Sequence, residues 1–121
     1  MAQEKSFENR IKSYLKSRGS WFIKYWAGAK FTKEGIPDIL ACDNGSFIAI
    51  EVKAQNGKPT LIQLVTLEKI RKAGGYGLLL YPQDFDGFKA FMSNRHPKND
   101  FYLYNIEKQF HWKNKLMRGD K

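Results

Sequence analysis

The chain has 121 residues and a mass of 14.1 kDa, a size that fits one domain with a real core and excludes a multidomain arrangement. Hydrophobic residues at 42% and aromatics at 15% exclude an intrinsically unfolded chain. Its 21 Lys and Arg against 12 Asp and Glu give a formal charge of +9 and a pI near 9.7, a field that attracts polyanions and makes nucleic acid the first partner to consider, with a merely well-solvated surface as the competing reading.

In chain order, Phe7, Ile11, Tyr14 and Leu15 share one helical face, and Gly19 stops a helix over 6–18. The aromatic run WFIKYW at 21–26 predicts a strand, followed by a loop carrying Lys30 and Lys33. Asn44-Gly45 between two apolar runs predicts a hairpin of antiparallel strands. Thr60 as N-cap and Gly74-Gly75 as terminus frame a second helix over 60–73. The unbroken apolar run at 77–81 then predicts a strand buried on both faces, parallel to its neighbour through a right-handed crossover. A helix capped by Asp84 over 84–94 and an edge strand over 101–105 complete the reading. The expected fold is an α/β mixed central sheet flanked by helices, with a single domain over 1–110 and a basic tail over 111–121 that reads as a floppy arm, with a phosphate contact as the alternative.

Cys42, the one cysteine, excludes an internal disulfide and a multi-thiolate zinc site and points to a reducing cytoplasm. No segment has the pattern of a signal peptide or a membrane span. His96 and His111 lack metal-ligand spacing and read as surface residues. Gly74-Gly75-Tyr76-Gly77 lacks the Lys-Ser/Thr of a phosphate loop, so no nucleotide cofactor is expected.

The chemistry lies in the hairpin. With a two-residue turn, Asp38 sits opposite Glu51, their Cβ atoms about 4.5–5.5 Å apart, and Lys53 shares their face. Ile39, Ala41, Ile48, Ile50 and Val52 take the other face. A three-residue loop would change the parity and part the acids. Two carboxylates this close repel unless one is protonated or a cation lies between them. Oxygen ligands without His or Cys suit Mg²⁺ or Mn²⁺, while Lys53 would orient a water or stabilise the transition state. Taken singly, the same residues read as solvated strand and turn positions.

Gly35-Ile36-Pro37-Asp38, twelve intervening residues, then Glu51-Val52-Lys53 resembles the signature of the PD-(D/E)XK nucleases, and the element order is similar. The nearer resemblance is to the virus-type replication-repair nucleases (VRR-NUC), over roughly residues 7 to 81. It implies a restriction-endonuclease-like core, a site of Glu8, Asp38, Glu51, Lys53 and Gln63, and metal held by Glu8, Asp38, Glu51 and the carbonyl of Val52. Glu8 reads equally as a first-turn acid answering the helix dipole, and Gln63 as the partner of Thr60 in a capping box. Lys24, Lys30, Lys33 and Lys58 are candidate phosphate contacts, Lys24 doubling as an edge-strand guard.

The expected function is metal-dependent, structure-selective cleavage of DNA. Small proteins that resemble this one suggest a phage-like Holliday-junction resolvase, acting as a homodimer through WFIKYW or the 101–104 segment. A nickase or flap nuclease of the same fold and a non-catalytic basic DNA-binding module are the alternatives.

Overall fold

The computed structural model describes residues 2–26 and 33–119. In order they form α1 (Ala2–Ser17), β1 (Trp21–Lys24), β2 (Ile39–Asp43), β3 (Ser46–Val52), α2 (Leu61–Lys72), β4 (Tyr76–Leu80), a 3₁₀ turn (Pro82–Asp84), α3 (Phe85–Ser93) and α4 (Asp100–Met117). The sheet order is β1-β2-β3-β4, antiparallel up to β3 and parallel between β3 and β4. This is a mixed four-stranded sheet with helices on both faces.

The hairpin follows the register that its turn chemistry predicts. Asn44 (φ 47°) and Gly45 (φ 80°) both take left-handed backbone, as a primed two-residue turn requires. Asp43 therefore pairs with Ser46 and Ile39 with Ile50. One face of the sheet buries Ile39, Ala41, Ile48, Ile50, Val52, Leu78 and Leu80 against Phe7, Ile11 and Leu15 of α1 and Phe88, Phe91 and Met92 of α3. On the other face Leu64, Leu67, Leu79 and Tyr81 meet Trp112 and Leu116. β4 thus supplies both cores, which is why its sequence is apolar without alternation.

Three expectations are corrected. The edge strand at 101–105 is the start of α4, whose N-terminus is capped by Asn99 accepting from the Tyr102 N–H at 3.2 Å. The floppy tail is absent through Met117, because Trp112 and Leu116 extend the buried stripe of the same helix. The side chain of Asp84 caps no α3 amide, and accepts instead from the Tyr81 N–H at 2.8 Å. Asn105 and Gln109 explain the first two corrections. Asn105 accepts from Leu79 N–H (3.0 Å) and donates to Leu79 C=O (2.8 Å), and Gln109 donates to Gly77 C=O (2.9 Å). The amides of α4 therefore take up backbone groups of β4, so a helix covers the edge that another strand would have filled. None of the helices among the described residues is long and apolar enough to cross a membrane.

Candidate active site

Asp38 lies one residue before β2, where the ladder with β3 ends. Its carbonyl accepts from Tyr25 N–H at 2.8 Å and its Oδ2 from Val52 N–H at 2.8 Å, so backbone and side chain are both pinned. The approach is set by Gly35 at φ +79°. A Cβ there would lie 2.8 Å from Ile62 Cγ1 and 3.0 Å from the Ile62 carbonyl, so only glycine lets the Gly-Ile-Pro-Asp segment pack on α2.

Glu51 projects from β3 between Ile50 and Val52, onto the face opposite theirs, and is 3% exposed. Its Oε1 is buried without a hydrogen-bond partner, while Oε2 lies 3.5 Å from Lys53 Nζ. Burial, and then the neighbouring Asp38 carboxylate, push the Glu51 carboxyl up to about 8 against the pull of Lys53. Asp38, Glu51 and Lys53 therefore come together at one end of the hairpin.

Glu8 approaches the same end of the sheet from α1, buried at 3% exposure. Lys24 stands between it and Asp38, its Nζ 2.6 Å from Glu8 Oε1 and 3.3 Å from Asp38 Oδ1, with Lys12 Nζ 3.3 Å from Glu8 Oε2. Burial raises the Glu8 carboxyl, but these ammonium groups outweigh it and hold the carboxyl below its ordinary value. Glu8 is thus a buried acid ion-paired to two lysines. Among the described residues no group of three or more His, Cys, Asp or Glu side chains is arranged to hold a metal ion. Two carboxylates meet, and the third faces them across a lysine.

The capping box at the start of α2 forms, with Gln63 Oε1 accepting from Thr60 N–H at 3.0 Å and Thr60 Oγ1 from Gln63 N–H at 3.3 Å. Gln63 also lines a cavity of about 280 Å³ with Lys24, Tyr25, Lys33, Gly35 and Asp38. The capping-box reading of Gln63 is thus observed, and the cavity places the same side chain on the Asp38 side of α2. Lys33 is exposed at this cavity, Lys58 is exposed on the loop after β3, and Lys30 falls outside the described residues. Lys24 is ion-paired inside the site and does not stand free on the surface.

Sequence reasoning missed two charged groupings. Asp43, at the turn end of the hairpin, accepts from Arg18 Nε (3.0 Å) and Nη2 (2.9 Å), from Arg95 Nη1 (3.0 Å) and from Ser20 Oγ. The Arg18 hydrogen bond is the chief cause that holds the Asp43 carboxyl far below its usual range. Nothing local in the sequence marks this cluster, since its members are separated by up to 77 positions. The other is a broad groove between α1 and α3 bearing Lys5, Arg10 and Lys89. Its α1 half was readable as the polar stripe opposite Phe7, Ile11 and Leu15.

A restriction-endonuclease-like sheet carrying an Asp, a Glu and a Lys at one hairpin end defines the nuclease class of the PD-(D/E)XK type. The chain belongs to the archaeal Holliday junction resolvase (Hjc) family, whose model matches residues 2–118. Resolvases of this family are structure-selective, junction-cleaving nucleases that depend on a divalent metal. Among solved structures the chain is similar to Hjc, a Holliday junction resolvase of the archaeal hyperthermophile Archaeoglobus fulgidus, with 29% identity and a TM-score of 0.46. That match covers 64% of this chain and 66% of the other, just short of two thirds of its length. No curated protein matches the chain.

Proposed function

We propose that this chain is a metal-dependent endodeoxyribonuclease that hydrolyses phosphodiester bonds in four-way DNA junctions, acting as a homodimer. The observation that carries this reading is the trio Asp38, Glu51 and Lys53, with an unpartnered, buried Glu51 oxygen, in a chain of the resolvase family.

The donor set fits a divalent cation on three counts. Glu51 Oε1 has no partner, the Glu51 carboxyl is raised by burial and then by Asp38, and a lysine ammonium already sits as a stand-in charge between Glu8 and Asp38. Asp38, Glu51 and the Val52 carbonyl would hold the ion, with Glu8 joining if Lys24 withdraws. All-oxygen ligands favour Mg²⁺ or Mn²⁺. Bound there, such an ion supplies the positive charge that acidifies water and offsets negative charge on the scissile phosphate.

The protein's own groups supply the rest. Lys53 brings an ammonium to the carboxylate pair, where it orients the attacking water or steadies charge growing on the phosphate. The bond from Val52 N–H keeps Asp38 from swinging away, which preserves the geometry that cleavage needs. Lys33 and Lys58, with Lys5, Arg10 and Lys89 in the groove beside α1, offer phosphate contacts that position a duplex without reading its bases. A two-fold dimer would set two sites on symmetric strands. Trp21 and Ile23 on the β1 edge, Trp26 just past it and Tyr104 on α4 are exposed and available for that contact. The narrower likeness to the virus-type replication-repair nucleases, and with it a phage-like origin and a cytoplasmic place of action, rests on the motif spacing and on the positions of Glu8 and Gln63.

The test is cleavage of a labelled four-way junction, with flap and linear controls, in Mg²⁺, Mn²⁺ and EDTA. Wild type is expected to leave symmetric, metal-dependent nicks, and Asp38→Ala and Lys53→Ala to bind without cutting. Cutting of flaps alone would make it a flap nuclease, and binding indifferent to metal and to Asp38→Ala would make it a DNA-binding module.

A further inference from the structure

We infer that Lys24 stands in the place of a second metal ion, so that the site works with one divalent cation and Glu8 anchors Lys24 instead of binding metal. This inference rests on the metal-dependent reading above and fixes how many ions that reading needs.

The stem of Lys24 is set by the sheet. Lys24 ends β1 opposite Ile39 in the ladder, and the next residue, Tyr25, donates its N–H to the Asp38 carbonyl at 2.8 Å. Lys24 and Asp38 are therefore fixed to each other through backbone before their side chains meet. Phe22, two residues earlier, packs on the core beneath α1. Side chains alternate along a strand, so Lys24 leaves β1 on the side from which Glu8 arrives.

Its ammonium is held as firmly as its stem. Nζ donates to Glu8 Oε1 at 2.6 Å and to Asp38 Oδ1 at 3.3 Å. It also lies 5.6 Å from the centre of the Trp26 ring, inside the cation–π range of about 6 Å. The Lys24 side chain is 18% exposed and that of Glu8 only 4%. Withdrawal of Lys24 would leave the buried Glu8 with Lys12 alone, whose Nζ lies 3.3 Å from Oε2 without a hydrogen bond. Taking one partner from a buried pair leaves the other to bear its desolvation uncompensated, so Glu8 retains Lys24.

A second ion has no place beside it. The ions of two-metal nucleases lie about 3.5–4 Å apart, and Mg²⁺ draws its oxygens to about 2.0–2.1 Å. An ion bridging Glu8 and Asp38 would compete for the two oxygens that Lys24 holds. Charge argues the same way. Glu8, Asp38 and Glu51 face Lys12, Lys24 and Lys53. With those balanced, one divalent ion against the scissile phosphate leaves a single positive charge in excess, whereas a second ion beside Lys24 would leave three. The first ion keeps its ligands, because Glu51 Oε1 has no partner and each carboxylate oxygen of Asp38 has a further lone pair.

A fixed ammonium offsets phosphate charge there, as a second ion would. Glu8 and Asp38 take two of its three N–H donors. The third is left for a phosphate oxygen in the cavity of about 280 Å³ that Lys24 lines with Asp38 and Gln63.

The experiment titrates Mn²⁺ to saturation into the full-length protein without DNA and counts bound ions by calorimetry and electron paramagnetic resonance. Two ions a few ångströms apart broaden each other's resonance, a signature that a purely structural role of Lys24 would not produce. Wild type and Lys24→Arg, which keeps the charge, should bind one ion per chain. Lys24→Gln should bind two with a broadened spectrum, and adding Glu8→Gln to it should return the count to one. Glu8→Gln alone should keep the single ion, which tests the inference even where Lys24→Gln fails to fold. A wild-type count other than one, a folded Lys24→Gln that stays at one, or loss of the ion in Glu8→Gln overturns the inference and leaves junction cleavage standing. No bound ion together with no metal-dependent cutting overturns both.

Discussion

Replacing Glu51 by Gln should stabilise the metal-free protein at alkaline pH, although it removes a charge from the site. Glu51 is buried, one of its oxygens has no partner, and its carboxyl is raised from 4.5 to about 8, chiefly by burial and then by Asp38. Between those two values the folded protein holds a proton that the unfolded chain has lost, so stability falls as pH rises through this window. From pH 6 to pH 9 the fall attributable to Glu51 is about 3 kcal/mol, and it levels off above the folded value. Gln cannot titrate, so the same loss should be missing from Glu51→Gln, while every other group cancels in the comparison. The assay is urea unfolding of both proteins in EDTA at several pH values, read as the difference between them. In wild type alone, millimolar Mn²⁺ should restore much of the lost stability, because a ligand that binds only the native state stabilises it. A difference between the proteins that stays flat from pH 6 to pH 9 would refute the view that Glu51 is buried at a cost to stability.

Three further changes probe the structure around that carboxyl. Lys24→Met removes the ammonium between Glu8 and Asp38, so Mn²⁺ no longer competes with a built-in cation and should bind about three- to tenfold more tightly by calorimetry; weaker binding would mean that Lys24 organises the ligands. Gly35→Ala forces a Cβ into Ile62 at a left-handed φ, and should cost about 1–3 kcal/mol in urea unfolding. By displacing Asp38 it should also lower junction cleavage on the order of 100-fold. Asp43→Asn leaves Arg18 and Arg95 without their carboxylate and should cost about 2–4 kcal/mol by thermal or urea unfolding. In wild type the depressed Asp43 carboxyl contributes stability above its unfolded value, lost as pH falls, so the difference between these two proteins should shrink in acid.

Where function was legible in the sequence, it was legible because turn chemistry and strand parity are local. Asn44-Gly45 admits one short turn, that turn fixes the pairing from Asp43–Ser46 to Ile39–Ile50, and the pairing carries Asp38 to Glu51. The helical face of Phe7, Ile11 and Leu15 and the two-faced strand β4 were readable for the same reason. The C-terminal third failed because its stripe is partly polar. Asn105 and Gln109 are buried as hydrogen-bond partners of a strand edge, and a hydrophobicity pattern reads such residues as surface. Lys24 was assigned to the surface because its partners, Glu8 and Asp38, lie 16 and 14 positions away, beyond any periodic pattern.

The two ends of the hairpin are mechanically one device. A slip of one residue at the turn would send Glu51 and Lys53 into the apolar layer beneath α1 and bring Ile50 and Val52 out to the site. The strands alone resist this through their buried face, but β2 has only five residues and β1 borders solvent. The Asp43 cluster supplies the missing constraint. It ties the last residue of β2 to Arg18 and Ser20 just past α1 and to Arg95 just past α3, so the turn is anchored to both helices that cover the core face. At the opposite end Asp38 spends its backbone carbonyl on Tyr25 and one carboxylate oxygen on Val52, which fastens β1 and β3 to it. The register that brings Asp38 to Glu51 is thus anchored at both ends of the hairpin, by the Asp43 ion pairs at the turn and by the hydrogen bonds of Asp38 at the site.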